Sequence, residues 1–298
     1  MPVGVSAPSA PTAAPAIVGR RRARTAYILL IPGIAWLAVF FLVPLVSLFF
    51  TSLQAPTGKS GQYRAAFQIS NYAEAFGEYW VEFVRAFVYA GIATVFALVL
   101  AYPLAYFIAM KSGRWRALLL VLVVAPFFAS FLLRTYAWKT ILSDDGFITS
   151  ALNLLHVLPN DRLLNTPIAV VAGLTYNFLP FMILPLYASI EKIDPRLVEA
   201  GSDLYASPWT TFRKVTWPLS LPGVVAGTLL TFIPAAGDYI NAELLGSTRD
   251  KMVGNAIQTN FIEFRDYPIA SALSFILLLA ILAAVAVYIR RAGTEDLV

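Results

Sequence analysis

Six stretches of this chain, residues 27–50, 84–109, 117–138, 167–190, 219–239 and 268–289, are apolar over the ~20 residues a helix needs to cross a bilayer. Nothing else in the sequence restricts the fold as strongly. Lipid offers no partner to an open backbone, so runs of this length read as spanning helices. The expectation is an all-α integral membrane protein with six transmembrane helices. Composition agrees, with 59% hydrophobic residues, 13% charged residues and a mean hydropathy of +0.71, against about 25% charged in an ordinary soluble domain. The fourth run is interrupted by Tyr176, Asn177, Pro180 and Pro185, and the fifth by Pro234, Gly237 and Asp238.

An even number of spans puts both termini on one side, and the cations say which. Arg20, Arg21, Arg22 and Arg24, then Lys111, Arg114 and Arg116, then Lys192, Arg196, Arg213 and Lys214, and finally Arg290 and Arg291 fall on the same side. Short cytoplasmic loops carry such an excess, so these segments are expected in the cytoplasm. This divides the chain into a disordered basic tail at 1–24, a membrane domain at 25–291 and a cytoplasmic tail at 292–298. The net charge of +5 follows the membrane boundary in four separate segments, which argues against a nucleic-acid partner.

Between the fourth and fifth runs lies a polar connection at 191–218, far longer than a reversal of direction requires. Asp194 before Pro195 and Ser207 before Pro208 are each an N-cap followed by a proline at the first helical position. Two short helices are therefore expected, with Leu197, Val198, Leu204, Trp209, Phe212 and Val215 on an apolar side. A docking element and a plain amphipathic surface helix would share this pattern.

The series Glu199-Ala200-Gly201, Asp203, Leu204-Tyr205-Ala206-Ser207-Pro208 and Val215-Thr216-Trp217-Pro218 resembles the Glu-Ala-Ala loop of the membrane subunits of bacterial ABC importers. Three positions depart from that pattern. Gly201 replaces the second alanine, Tyr205 stands where glycine is usual, and Trp217 stands where leucine is usual. The resemblance implies a type I importer permease fold whose loop couples to an ATPase. It also implies as partners two ATPase subunits, a second homologous permease, an extracytoplasmic binding protein and membrane lipid.

Chemistry within the chain is sparse. Thr57-Gly58-Lys59-Ser60 ends like a phosphate-binding loop, but Leu53 stands where the first glycine is required and the tetrapeptide follows an expected spanning helix on the outer face. His156 is the single histidine and there are no cysteines, so neither a metal site nor a histidine triad is expected. No catalytic set emerges, and ATP with its Mg²⁺ is expected in the partner ATPase, with no cofactor in this chain.

Ionisable groups within spans point to a solute pathway because each is costly there. Asp238 follows Pro234 and Gly237 near the outer end of the fifth run, with Tyr239 and Glu243 as neighbours. Arg134, Tyr136 and Trp138 end the third run at a similar height, where Asp238 or Asp144 could answer the arginine. Tyr176 and Asn177 add polar groups in the fourth run. The runs Phe131–Trp138 and Tyr176–Tyr187, together with Gly237-Asp238-Tyr239, Leu244-Leu245-Gly246 and Gly254-Asn255, resemble the spermidine and putrescine branch of these permeases. That resemblance implies a polyamine substrate, while relatives moving iron, phosphonates or opines share much of the framework. A six-span cation channel driven by the membrane potential is the alternative from another class.

Overall fold

The computed structural model describes residues 30–57, 62–154 and 162–292. The basic tail at 1–24, Gly58-Lys59-Ser60, His156 and residues 293–298 lie outside that range. Residues 1–50 and 51–298 form two separate compact units.

The first unit contains most of helix α1 (Leu30–Ser52), whose turns widen at Ala38–Leu42. Pro44 lies just beyond, and a proline lacks the N–H that an ordinary turn would use.

In the second unit, Ala55–Pro56 and Tyr63–Arg64 pair antiparallel before helix α2 (Ser70–Lys111). At 42 residues, α2 is about 63 Å long, roughly twice the ~30 Å hydrocarbon layer. It therefore begins well before residue 84, where the apolar run starts, and it kinks at Tyr79. One face of α2 is a row of fully buried alanines, Ala86, Ala90, Ala93, Ala97, Ala101 and Ala105. Their small side chains let α2 lie close against α6 (Pro167–Glu191) and α8 (Pro208–Ala236).

The third apolar run does not form the single expected span. It divides into α3 (Gly113–Phe128) and α4 (Phe131–Ile141), bent by 94°. Ala129 and Ser130 are extended, and Pro126 inside the run weakens the helix ahead of them. Five helices are long and apolar enough to span, or six if this bent pair is one span. After α5 (Phe147–Leu154), α6 starts on a Thr166 cap, with Pro167 at the first position and the Thr166 hydroxyl accepting from the Ala169 N–H at 3.3 Å.

Helix α7 (Pro195–Asp203) follows a turn in which Asp194 accepts from the Arg196 N–H at 3.0 Å. Helix α8 then runs 29 residues without a break, so the second short helix expected in the connection is the foot of the fifth span. Its turns widen at Phe212–Thr216, where Pro218 cannot donate. The span ends at Ala236, before Gly237, which leaves Asp238 and Tyr239 in a break rather than in the helix. The chain continues through α9 (Ile240–Leu245), α10 (Val253–Gln258) and α11 (Tyr267–Ala292).

Candidate functional site

Two polar regions interrupt this apolar framework, and each contains residues singled out from sequence. The first is the connection between α6 and α8. Here α7 ends on Tyr205, a non-glycine residue at φ +58°. The Leu204 N–H donates to Ala200 O at 3.1 Å and the Ala206 N–H to Gly201 O at 3.0 Å, the 6→1 closure of a Schellman turn. A left-handed residue is required at this place, which is why glycine would be expected there. Ser207 then caps α8 by accepting from the Thr210 N–H at 3.2 Å, with Pro208 at the first position.

Gly201 fits a close approach. A Cβ there would lie 2.8 Å from Thr211 Oγ1, so its absence lets α7 rest on the foot of α8. The expected apolar side splits in two. Phe212 turns inward against Tyr102 and Trp217, with ring centroids 5.5 and 6.2 Å away, and Trp217 lies 5.4 Å from Tyr102. The indole in place of leucine thus fills a cluster that fastens the connection to α2. Leu204 (81% exposed), Tyr205 (99%) and Trp209 (68%) instead point away from the protein, alongside the exposed Glu199, Ala200 and Asp203. An ion pair between Arg116 and Glu191 joins the start of α3 to the end of α6 nearby.

The second region surrounds the break after α8. Asp238, 8% exposed, accepts from the Asn241 N–H at 2.8 Å and from Asn241 Nδ2 at 3.1 Å, capping α9. Asn241 Oδ1 accepts from Asn177 Nδ2 at 2.9 Å, which also donates to Thr135 Oγ1 at 3.2 Å. A buried polar chain therefore links the break, α6 and α4. Gly173 makes room for it, since a Cβ would come within 2.6 Å of Asn241 Oδ1 and 2.4 Å of Leu245 Cδ1. Glu243 accepts from Asn255 Nδ2 at 2.9 Å and pairs with Lys251 at 3.3 Å, while Asn255 Nδ2 also donates to Tyr239 O at 3.0 Å. Trp138 and Tyr176 pack with ring centroids 5.2 Å apart in the wall of an apolar groove of about 760 Å³ that Tyr89 also lines. Tyr136 is exposed beside Lys139.

One sequence expectation fails here. Neither Asp238 nor Asp144 answers Arg134: Asp238 is bound by Asn241, and Asp144 pairs with Arg162 at 3.3 Å. The Arg134 guanidinium lies instead over the rings of Phe127 and Phe131, 5.0 and 5.6 Å from their centroids.

Comparison with known proteins supplies the family. Residues 17–292 match the binding-protein-dependent transport system inner membrane component family. This chain belongs to that family. It is thus a multi-pass inner-membrane component of a transport system that works with a binding protein. The chain is 39% identical over 258 residues to the spermidine/putrescine transport system permease protein PotB of Haemophilus influenzae, covering 86% of this chain and 90% of that protein. It is 36% identical over 259 residues to PotB of Escherichia coli, covering 86% and 94%. Among solved structures, a bacterial alginate ABC transporter in complex with an alginate pentasaccharide-bound periplasmic protein matches with a TM-score of 0.68 at 18% identity, over 93% of this chain and 96% of that one. A methionine ABC transporter, MetNI, matches with a TM-score of 0.51 at 17% identity, over 71% and 94%. These likenesses establish the shared fold of an importer permease.

Within this inner-membrane component, sequence reasoning found Asp238, Glu243 and Asn177 but missed Thr135, Asn241 and Asn255, which tie them together. Gly254-Asn255 stood in the sequence only as part of a resemblance. Thr135 sits one residue from Arg134, and its short hydroxyl carried no signal in an apolar run.

Proposed function

We propose that this chain is one membrane subunit of an ATP-driven importer of polyamines such as spermidine and putrescine. The observation that carries the reading is the 36–39% identity to spermidine/putrescine permeases over 86% of the chain. The chemistry of the break and of the groove lined by Tyr89, Trp138 and Tyr176 is suited to a flexible polycation. Asp238 and Glu243 offer carboxylates for ammonium groups, and Tyr89, Trp138 and Tyr176 offer aromatic faces for charges and methylene spacers. Those aromatic residues line one groove.

In this reading the α6–α8 connection faces the cytoplasm, as the thirteen clustered cations favour, and both termini lie on that side. Leu204, Tyr205 and Trp209 are the apolar knob that an ATPase subunit would cover, with Glu199 at its edge. Two ATPase subunits hold ATP and Mg²⁺, a second and different permease completes the pathway, and the binding protein delivers substrate from outside. ATP-driven closure of the ATPase pair draws the docked helices together and opens the spans outward; hydrolysis returns them inward. Asp238 and its hydrogen-bonded chain sit at the break where this opening would be felt.

Uptake of radiolabelled spermidine and putrescine tests the proposal, in cells lacking other polyamine import and expressing this chain with its ATPase, second permease and binding protein. Saturable uptake that stops on ATP depletion is expected. Uptake that persists on membrane potential alone would identify a channel, and uptake of neither amine would remove the polyamine assignment.

A further inference from the structure

Among the described residues, none supplies a counter-ion to Arg134. The residue is 8% exposed, and among the described residues its Nε has no hydrogen-bond acceptor. Two phenylalanine faces hold the guanidinium in place but cannot neutralise it. A cation at membrane depth persists only with an anion, carbonyl groups or water beside it.

Arg134 borders a half-open cavity of about 310 Å³ between α2, α3, α4 and α6. Leu104, Ile108, Leu119, Leu122 and Val123 supply aliphatic wall, and among the described residues Arg134 is the single charged one lining it. Its lining extends from Leu119 to Pro126 along α3 and from Tyr176 to Ile183 along α6, a depth of about 10 Å along each helix. The result is a slot with hydrocarbon sides and a guanidinium on its wall. An inorganic anion would answer the charge and leave the slot unfilled, and a plain hydrocarbon would do the reverse. A polyamine is repelled by the arginine.

We propose that this slot is a binding site for an anionic amphiphile, whose phosphate or carboxylate pairs with Arg134 and whose acyl chain lies along Leu119, Leu122 and Val123. The guanidinium fork suits either oxyanion. The site is independent of the substrate assignment.

Native mass spectrometry of the full chain tests this, with the protein purified in mild detergent and titrated with dioleoyl phosphatidylglycerol or with oleate. The unaltered protein retains one molecule of at least one of these. Arg134→Gln weakens retention about tenfold, Arg134→Lys less, and Leu119→Trp, which fills the slot and leaves the charge, also abolishes it. Phosphatidylglycerol behaving in this way identifies a phospholipid headgroup as the anion, and oleate doing so identifies a fatty carboxylate. Unchanged retention in Leu119→Trp overturns the proposal whatever the glutamine variant does, including if that variant fails to fold. Equal retention in Arg134→Gln overturns it as well.

Discussion

Tyr205 holds a left-handed backbone at φ +58°, which costs an L-residue on the order of 1–2 kcal/mol. Replacing it with glycine should stabilise the purified chain by about 1 kcal/mol in a thermal melt, because glycine adopts this geometry without a Cβ clash. If the fully exposed ring is covered by an ATPase, the same variant will co-purify with that subunit less well, so the two effects have opposite signs. At Asp238, Asn retains the oxygen that accepts from Asn241, while Leu leaves the Asn241 donors unmet. Asp238→Leu is expected to lower stability by about 2–3 kcal/mol. Asp238→Asn should preserve the fold while reducing polyamine uptake, read by a melt and a transport assay on the same preparation. Asp238 and Asn177 were legible because each breaks an apolar run. The partner of Arg134 was not, since position along a run gives height in the membrane and says nothing of direction once the chain bends at Ala129–Ser130.

Helix ends were the most readable elements. Asp194-Pro195 and Ser207-Pro208 each begin a helix at the proline, since this local chemistry works wherever the segment lies. The bend between α3 and α4 was hidden because lipid-facing and protein-facing apolar residues look alike, so hydropathy continues smoothly across an extended pair. The alanine face of α2 was equally silent until packing showed what it touches. Enlarging it should be costly: Ala97→Leu is expected to destabilise the chain by about 1–3 kcal/mol, whereas Val99→Leu, exposed on the same helix, should leave the melt within about 0.5 kcal/mol of the unaltered protein.

For the whole molecule, hydropathy carried most of the architecture, because the bilayer imposes a minimum apolar length on every span. The size of the α6–α8 connection was evident as well. What it does required a family resemblance, since an amphipathic surface helix has the same pattern. Glu199→Arg tests the coupling reading: the variant should insert and bind its second permease normally while uptake falls by about tenfold or more and ATP hydrolysis no longer responds to loaded binding protein. Normal uptake would show that Glu199 takes no part in docking. The unbroken run of α8 bears directly on this. Its 29 residues make a strut about 43 Å long, with Trp209 at one end and the break at Asp238 just beyond the other. Pivoting such a strut by about ten degrees would carry its far tip roughly 7 Å sideways, enough to draw Asp238 and the Asn241 it holds away from Asn177, so a small shove at the foot could unlatch the buried chain of amides without any loop having to melt.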